Sequence, residues 1–226
     1  MFQKLFNPEN PLMITMSQVT DCIFLSLFFL VTGFPLLTLG AASAALYDAA
    51  FHGMRRGDKH SWGRFFRGFL GNLKAGLLPS VIYLAVFCLA GWLLIQVWNA
   101  AALRKISMMV FSGAALAAML VLGILSVMFP MLSRFDNSLG ALLRNTVFLS
   151  LANMPRTLGL GLINGLSIFL CIRYVFPLFF LPALTAMLSS LLLEPMFRPY
   201  MPEEPEEEDE PEEEDEPEEE AAEEAR

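Results

Sequence analysis

AGLLPSVIYLAVFCLAGWLLIQVWNAAAL, residues 75–103, runs 29 residues without a formal charge. After Arg104 and Lys105 come 28 more in ISMMVFSGAALAAMLVLGILSVMFPMLS, residues 106–133. An ionised side chain at mid-membrane costs several kcal/mol, and a helical crossing needs about 20 apolar residues. Both runs are long enough, and only Arg104 and Lys105 mark the turn between them. On either side of this pair, 22–47 adds 26 uncharged residues, 157–172 adds 16 and 174–193 adds 20. A water-soluble domain with five such runs would have no polar surface left to hydrate. The expectation is an all-α fold, a polytopic transmembrane helix bundle.

The number of crossings stays open at both ends. Residues 157–193 hold 37 positions around Arg173, a hairpin or one long tilted helix. The hairpin is favoured because it lets Arg173 snorkel to an interface. One span over 17–47 gives five crossings, whereas a hairpin over 12–51 turning at Phe34-Pro35 gives six. An internal match supports the hairpin: FPLLTLGAASAAL (34–46) and FPLFFLPALTAML (176–188) agree at seven of 13 positions. Phe129-Pro130-Met131-Leu132 opens the same way a third time. Read functionally, this is a duplicated broken-helix unit with Pro35 and Pro177 as equivalent breaks. Read structurally, apolar helices rich in Leu, Ala and Phe match by composition, and Pro is an ordinary kink. A cleaved secretory leader is disfavoured, since the first apolar stretch is too long and only Lys4 precedes it, opposed by Glu9.

Charge divides the chain. Residues 1–202 carry 14 basic and six acidic side chains, a net of +8, while 203–226 carry 17 acidic residues and one basic, a net of −16. Lys and Arg collect on the cytoplasmic side of a membrane. Segment 51–74, with Arg55, Arg56, Lys59, Arg64, Arg67 and Lys74 against Asp58, is therefore expected inside. The turn 99–105 is expected outside, and 130–156, with Arg134, Arg144 and Arg156, inside again. With a final hairpin the tail is cytoplasmic. Trp92, Trp98 and Tyr47 suit interfacial belts. SWGRFFRGFLGNLK, 61–74, is amphipathic at helical spacing and reads as an interfacial helix. The Glu/Pro repeat has self-repulsion and regular proline, and so no means of building a core. The expected division is an N-terminal segment 1–11, a transmembrane domain 12–198 and a disordered acidic tail 199–226.

The most specific element is the small-residue face after a proline: Pro35, Thr38, Gly40 and Tyr47, with alanines at 41, 42, 44 and 45. Gly and Ala let helix backbones approach closely. The face is either a packing seam or an unwound stretch lining a pathway. Asp48 and Arg173, at the margins of apolar runs, are the candidate charged residues. Cys22, Cys88 and Cys171 fall in apolar runs and suggest neither a disulfide nor a metal framework. His52 and His60 have no further ligand at metal spacing. No nucleotide loop, nucleophile elbow or zinc-helix motif is present. The expectation is a non-enzyme without cofactor or metal. Its partner is the lipid bilayer, and its arginines are topology signals rather than nucleic-acid contacts.

The run from Pro35 to Ala42, then Ala45-Leu46-Tyr47, Arg56-Gly57-Asp58, Phe65-Phe66, Phe69 and Asn72 with Lys74, resembles the YesL family of bacterial multi-pass membrane proteins. Phe176-Pro177, Pro182-Ala183-Leu184, Ser190, Leu193, Glu194 and Phe197 look like that family's last span. The resemblance covers about 12–198 and leaves out the acidic tail. It implies a bacterial plasma-membrane protein of a family classed as a domain of unknown function, and adds Asn72 to the candidate motif. It also implies an accessory role beside a carbohydrate transporter complex, or as a homo-oligomer. The competing expectation, from the repeated Phe-Pro segments, is a small transporter or channel with Pro-broken helices.

Overall fold

The computed structural model describes residues 11–55, 61–135 and 138–201, and every element among them is helical. The expected N-terminal segment and all but the first residues of the acidic tail lie outside the described residues, as do Arg56, Asp58, Lys59, His60 and Asp136.

Helix α1 (Pro11–Gly33) ends at a break over residues 34–38, where Leu36 takes a left-handed φ of 56° beside Pro35. Pro35 has no N–H to give to a helix hydrogen-bond ladder, and the left-handed Leu36 after it reverses the chain. Helix α2 (Leu39–Ala49) then runs back along α1, with Gly33 beside Leu39 and Ala42. Leu25 shares a buried cluster with Leu46 and Ala49. A π-helical turn, Ala50–Arg55, follows.

Helix α3 (Ser61–Ala102) is a single helix of 42 residues, about 60 Å at the usual rise. The stretch 61–74 is therefore not a separate interfacial helix but the opening turns of α3. Its aromatic face covers protein rather than only lipid: Phe65 is 0% exposed. Phe28 of α1 meets the rings of Trp62, Phe65 and Phe66. The amphipathic pattern reads the same whether the apolar side meets acyl chains or another helix. Only the neighbouring α1 distinguishes them.

α3 turns over residues 103–107 into α4 (Met108–Arg134). Arg104, at φ 56°, takes the left-handed position that closes a helix, and Lys105 N–H returns to the Ala100 carbonyl at 2.9 Å. Ser107 caps the next helix through Met109 N–H at 3.2 Å. Trp98 against Phe111 and Tyr83 against Phe129 make α3 and α4 an antiparallel pair. Segment 130–156, read as a cytoplasmic connection, is largely structured. It holds the end of α4 and helix α5 (Leu139–Ala152), which buries Leu142, Thr146, Leu149 and Ser150 on one face. Asn153 joins α5 to α6 (Met154–Arg173). A 3₁₀ turn, Phe176–Phe179, leads to α7 (Leu181–Phe197) and a last 3₁₀ turn, Arg198–Tyr200.

α6 and α7 form a hairpin rather than one tilted helix, since Ser167 meets Thr185 and Asn164 meets Ser189. Three helices, α3, α4 and α6, are long and apolar enough to cross a membrane; Gln18–Gly33 and α5 are shorter apolar helices. This is a helical membrane protein.

Candidate functional site

The two matched segments fold alike. After Phe34-Pro35 helix α2 starts at Leu39, and after Phe176-Pro177 helix α7 starts at Leu181, the same position of the match. Each new helix begins inside the protein with N–H groups that have no partner in their own ladder. In both, a serine on another helix takes one of them. Gly40 N–H donates to Ser80 Oγ at 2.7 Å, and Ala183 N–H donates to Ser26 Oγ at 3.1 Å. Thr38, in the first break, donates from Oγ1 to the Thr32 carbonyl at 2.5 Å and ties the end of α1. Pro177 lies in the 3₁₀ turn.

Both breaks, and the third Phe-Pro pair, border one half-open cleft of about 330 Å³ between the helices. Leu39 follows the first break, Leu178 belongs to the second, and Phe129 and Pro130 line the wall themselves. Ser43 and Thr185, equivalent positions of the match, both line it. Tyr47 does so as well. The cavity carries hydroxyl and amide groups from Ser43, Tyr83, Asn164, Ser167, Thr185 and Ser189, and no Asp, Glu, Lys or Arg among the described residues.

Close helix approach builds its walls. A Cβ on Gly40 would lie 2.6 Å from Ser80 Oγ and 2.7 Å from the Gly76 carbonyl, so α2 touches α3 backbone to backbone. Gly68 faces Ala45 further along the same contact. Asn72 lies between these glycines, its Nδ2 donating to the Gly68 carbonyl at 2.9 Å. Ser80 bridges the seam, accepting from Gly40 and donating to the Gly76 carbonyl at 2.7 Å. Ser80→Ala leaves the Gly40 N–H buried and unpaired, and a loss of about 1–3 kcal/mol is expected, read as a lower melting temperature in detergent.

No family model, curated protein or solved structure matches the chain.

At one end of the cleft lies a charge cluster that includes two residues singled out from the sequence, Asp48 and Tyr47, and a pair that was not, Arg134 and Glu194. Tyr47, expected at an interface, is 2% exposed, and its hydroxyl donates to Glu194 Oε1 at 2.7 Å. Arg134, expected as a loop cation, donates to the same oxygen at 2.9 Å and lies 4.5 Å from the centre of the Phe51 ring. Only 11% of its side chain and 17% of the Glu194 side chain are exposed. Asp48 pairs with Arg64 at 3.1 Å and with His52 at 3.1 Å one turn on. Arg173 is not brought to this cluster. It ends α6, exposed, with its guanidinium 5.5 Å from the centre of the Tyr174 ring. The missed pair had a faint signal: Glu194 is an isolated acid at the end of an uncharged run, and such an acid needs a cation.

Proposed function

We propose that this chain is a bacterial plasma-membrane protein, similar to the YesL family, that works without chemistry of its own as an accessory component beside a carbohydrate-uptake system. In this reading its acidic tail and basic connections face the cytoplasm, and the final hairpin brings the tail back inside. The observation that carries it is the distal part of the α3–α4 pair. In the most apolar stretch of α3 only 11% of residues are buried, against 44% in α4. Gly91 and Gly113 have no atom within 4 Å of where a Cβ would stand. Small residues open on a membrane helix are where a second helix can approach closely. A stoichiometric partner should copurify in mild detergent, and Gly91→Leu with Gly113→Leu should release it while the melting temperature holds. A lone monomer, together with unchanged sugar uptake on deletion, would overturn the reading.

The paired breaks around one cavity favour a second reading, a small transporter with Pro-broken helices. It expects solute flux in proteoliposomes that Pro35→Ala or Pro177→Ala abolishes. A sealed, impermeable reconstituted protein would count against it.

A further inference from the structure

We infer that this half-open cleft is a binding site for an uncharged, hydroxyl-bearing small molecule, held between the two matched segments and Tyr83. This goes beyond the accessory role and requires no transport. The volume, about 330 Å³, lies at the lower end of small-molecule sites. Its polar groups are incompletely used by the protein. Thr185 donates to the Leu181 carbonyl at 2.6 Å, so the 2.6 Å contact with Ser167 takes the Ser167 proton and leaves that oxygen as a free acceptor. Asn164 commits Nδ2 to the Leu160 carbonyl at 2.9 Å and to Ser189 at 3.5 Å, leaving Oδ1 without a partner among the described residues. The hydroxyls of Ser43 and Tyr83 also have none there, and on α2 Ser43 is half-buried where its neighbours Ala42 and Ala44 are fully buried. The remaining set mixes donors and acceptors and carries no charge. A hydroxyl, which both donates and accepts, satisfies such a set. An ion would lose its hydration for no opposite charge. The rings of Tyr83 and Phe129, 4.9 Å apart, give the molecule's carbon skeleton an apolar wall.

Two sources share this chemistry: a free polyol, or the glycerol end of a neutral glyceride from the bilayer. Cys171 lines the cleft and gives the protein its own probe, whereas Cys88, at the middle of the uncharged run 75–103, faces acyl chains. Lys105→Cys, exposed in the turn after α3 and away from the cleft, supplies the control. The full chain carrying this substitution would be labelled in nanodiscs with N-ethylmaleimide and positions 171 and 105 followed by mass spectrometry. The additions are glycerol, sorbitol, gluconate or monoolein. Sorbitol or glycerol should slow labelling of Cys171 and not of position 105, about tenfold at about ten times the dissociation constant. Protection by monoolein alone assigns the site to a glyceride. Either protection should vanish in Ser43→Val/Tyr83→Phe, which should keep its melting temperature and its unprotected labelling rate. If Ser43→Val fails to fold, Tyr83→Phe alone should weaken protection. Equal labelling with every addition, equal protection by gluconate, or full protection in the variants would overturn the inference.

Discussion

Arg134→Met should cost the protein about 3–5 kcal/mol of stability, the largest single loss expected from a side chain in the bundle. The substitution keeps the aliphatic stem and removes the cation that Glu194 faces at 2.9 Å. The carboxylate, 17% exposed, is then left with the Tyr47 hydroxyl and little water. A buried charge stripped of its partner is far more costly than a pair that was never built. Glu194→Leu alone should be comparably harmful, because Arg134 already has a buried Nε with no partner among the described residues and would lose its carboxylate as well. The double variant Arg134→Met/Glu194→Leu should regain most of the loss. Denaturant unfolding of the four proteins in one detergent gives the coupling energy. Additive losses would mean that the pair is solvated and contributes little.

Gly123→Ala should lower stability by about 1–3 kcal/mol, and Gly161→Ala by a similar amount. The added methyl on Gly123 overlaps the backbone carbonyl of Thr157, and the one on Gly161 overlaps that of Met119. A flexible side chain could swing aside. A carbonyl held in a helix moves only if α4 and α6 separate. Thr157 is pinned further, donating to the Ser150 carbonyl at 2.7 Å. Gly71→Ala on α3 is the control, since nothing lies within 4 Å of its Cβ position. It should be neutral or stabilising, because Ala is the better helix former by about 1 kcal/mol. Melting curves of the three variants side by side separate contact from propensity, and a stable Gly123→Ala would show that α4 and α6 do not meet this closely.

Legibility in the sequence followed the range of the force involved. A charge-free run is a local property, and a bilayer imposes its cost residue by residue, so α3 and α4 could be read directly from 75–103 and 106–133. Pro35 and Pro177 were open alternatives, break or kink, because Pro79 and Pro130 lie inside α3 and α4 and proline acting on its own backbone does not say where a helix ends. Partners were not readable. Asp48 and Arg64 stand 16 residues apart, Tyr47 and Glu194 stand 147 apart, and Arg134 and Glu194 stand 60 apart. Nothing in the order of the residues says which cation an isolated acid will meet. Gly123 and Gly161 looked like any glycine in an apolar run, and their role depends on which helix crosses there.

Residue order alone places this chain in a bilayer as several helices with cations at the margins of the apolar runs, and leaves open which Phe-Pro pairs break a helix: Pro130 lies inside α4, whereas α1 ends before Pro35. Water and lipid act on each segment separately, so that much needs no folded neighbour. The tertiary structure alone decided what the apolar and charged residues face. It turned the aromatic side of 61–74 onto α1, buried Tyr47 and Arg134 around Glu194, and set Ser43 and Thr185 on the walls of one uncharged cavity. Those outcomes depend on helix crossings, and a crossing is fixed by close packing between segments far apart in the chain.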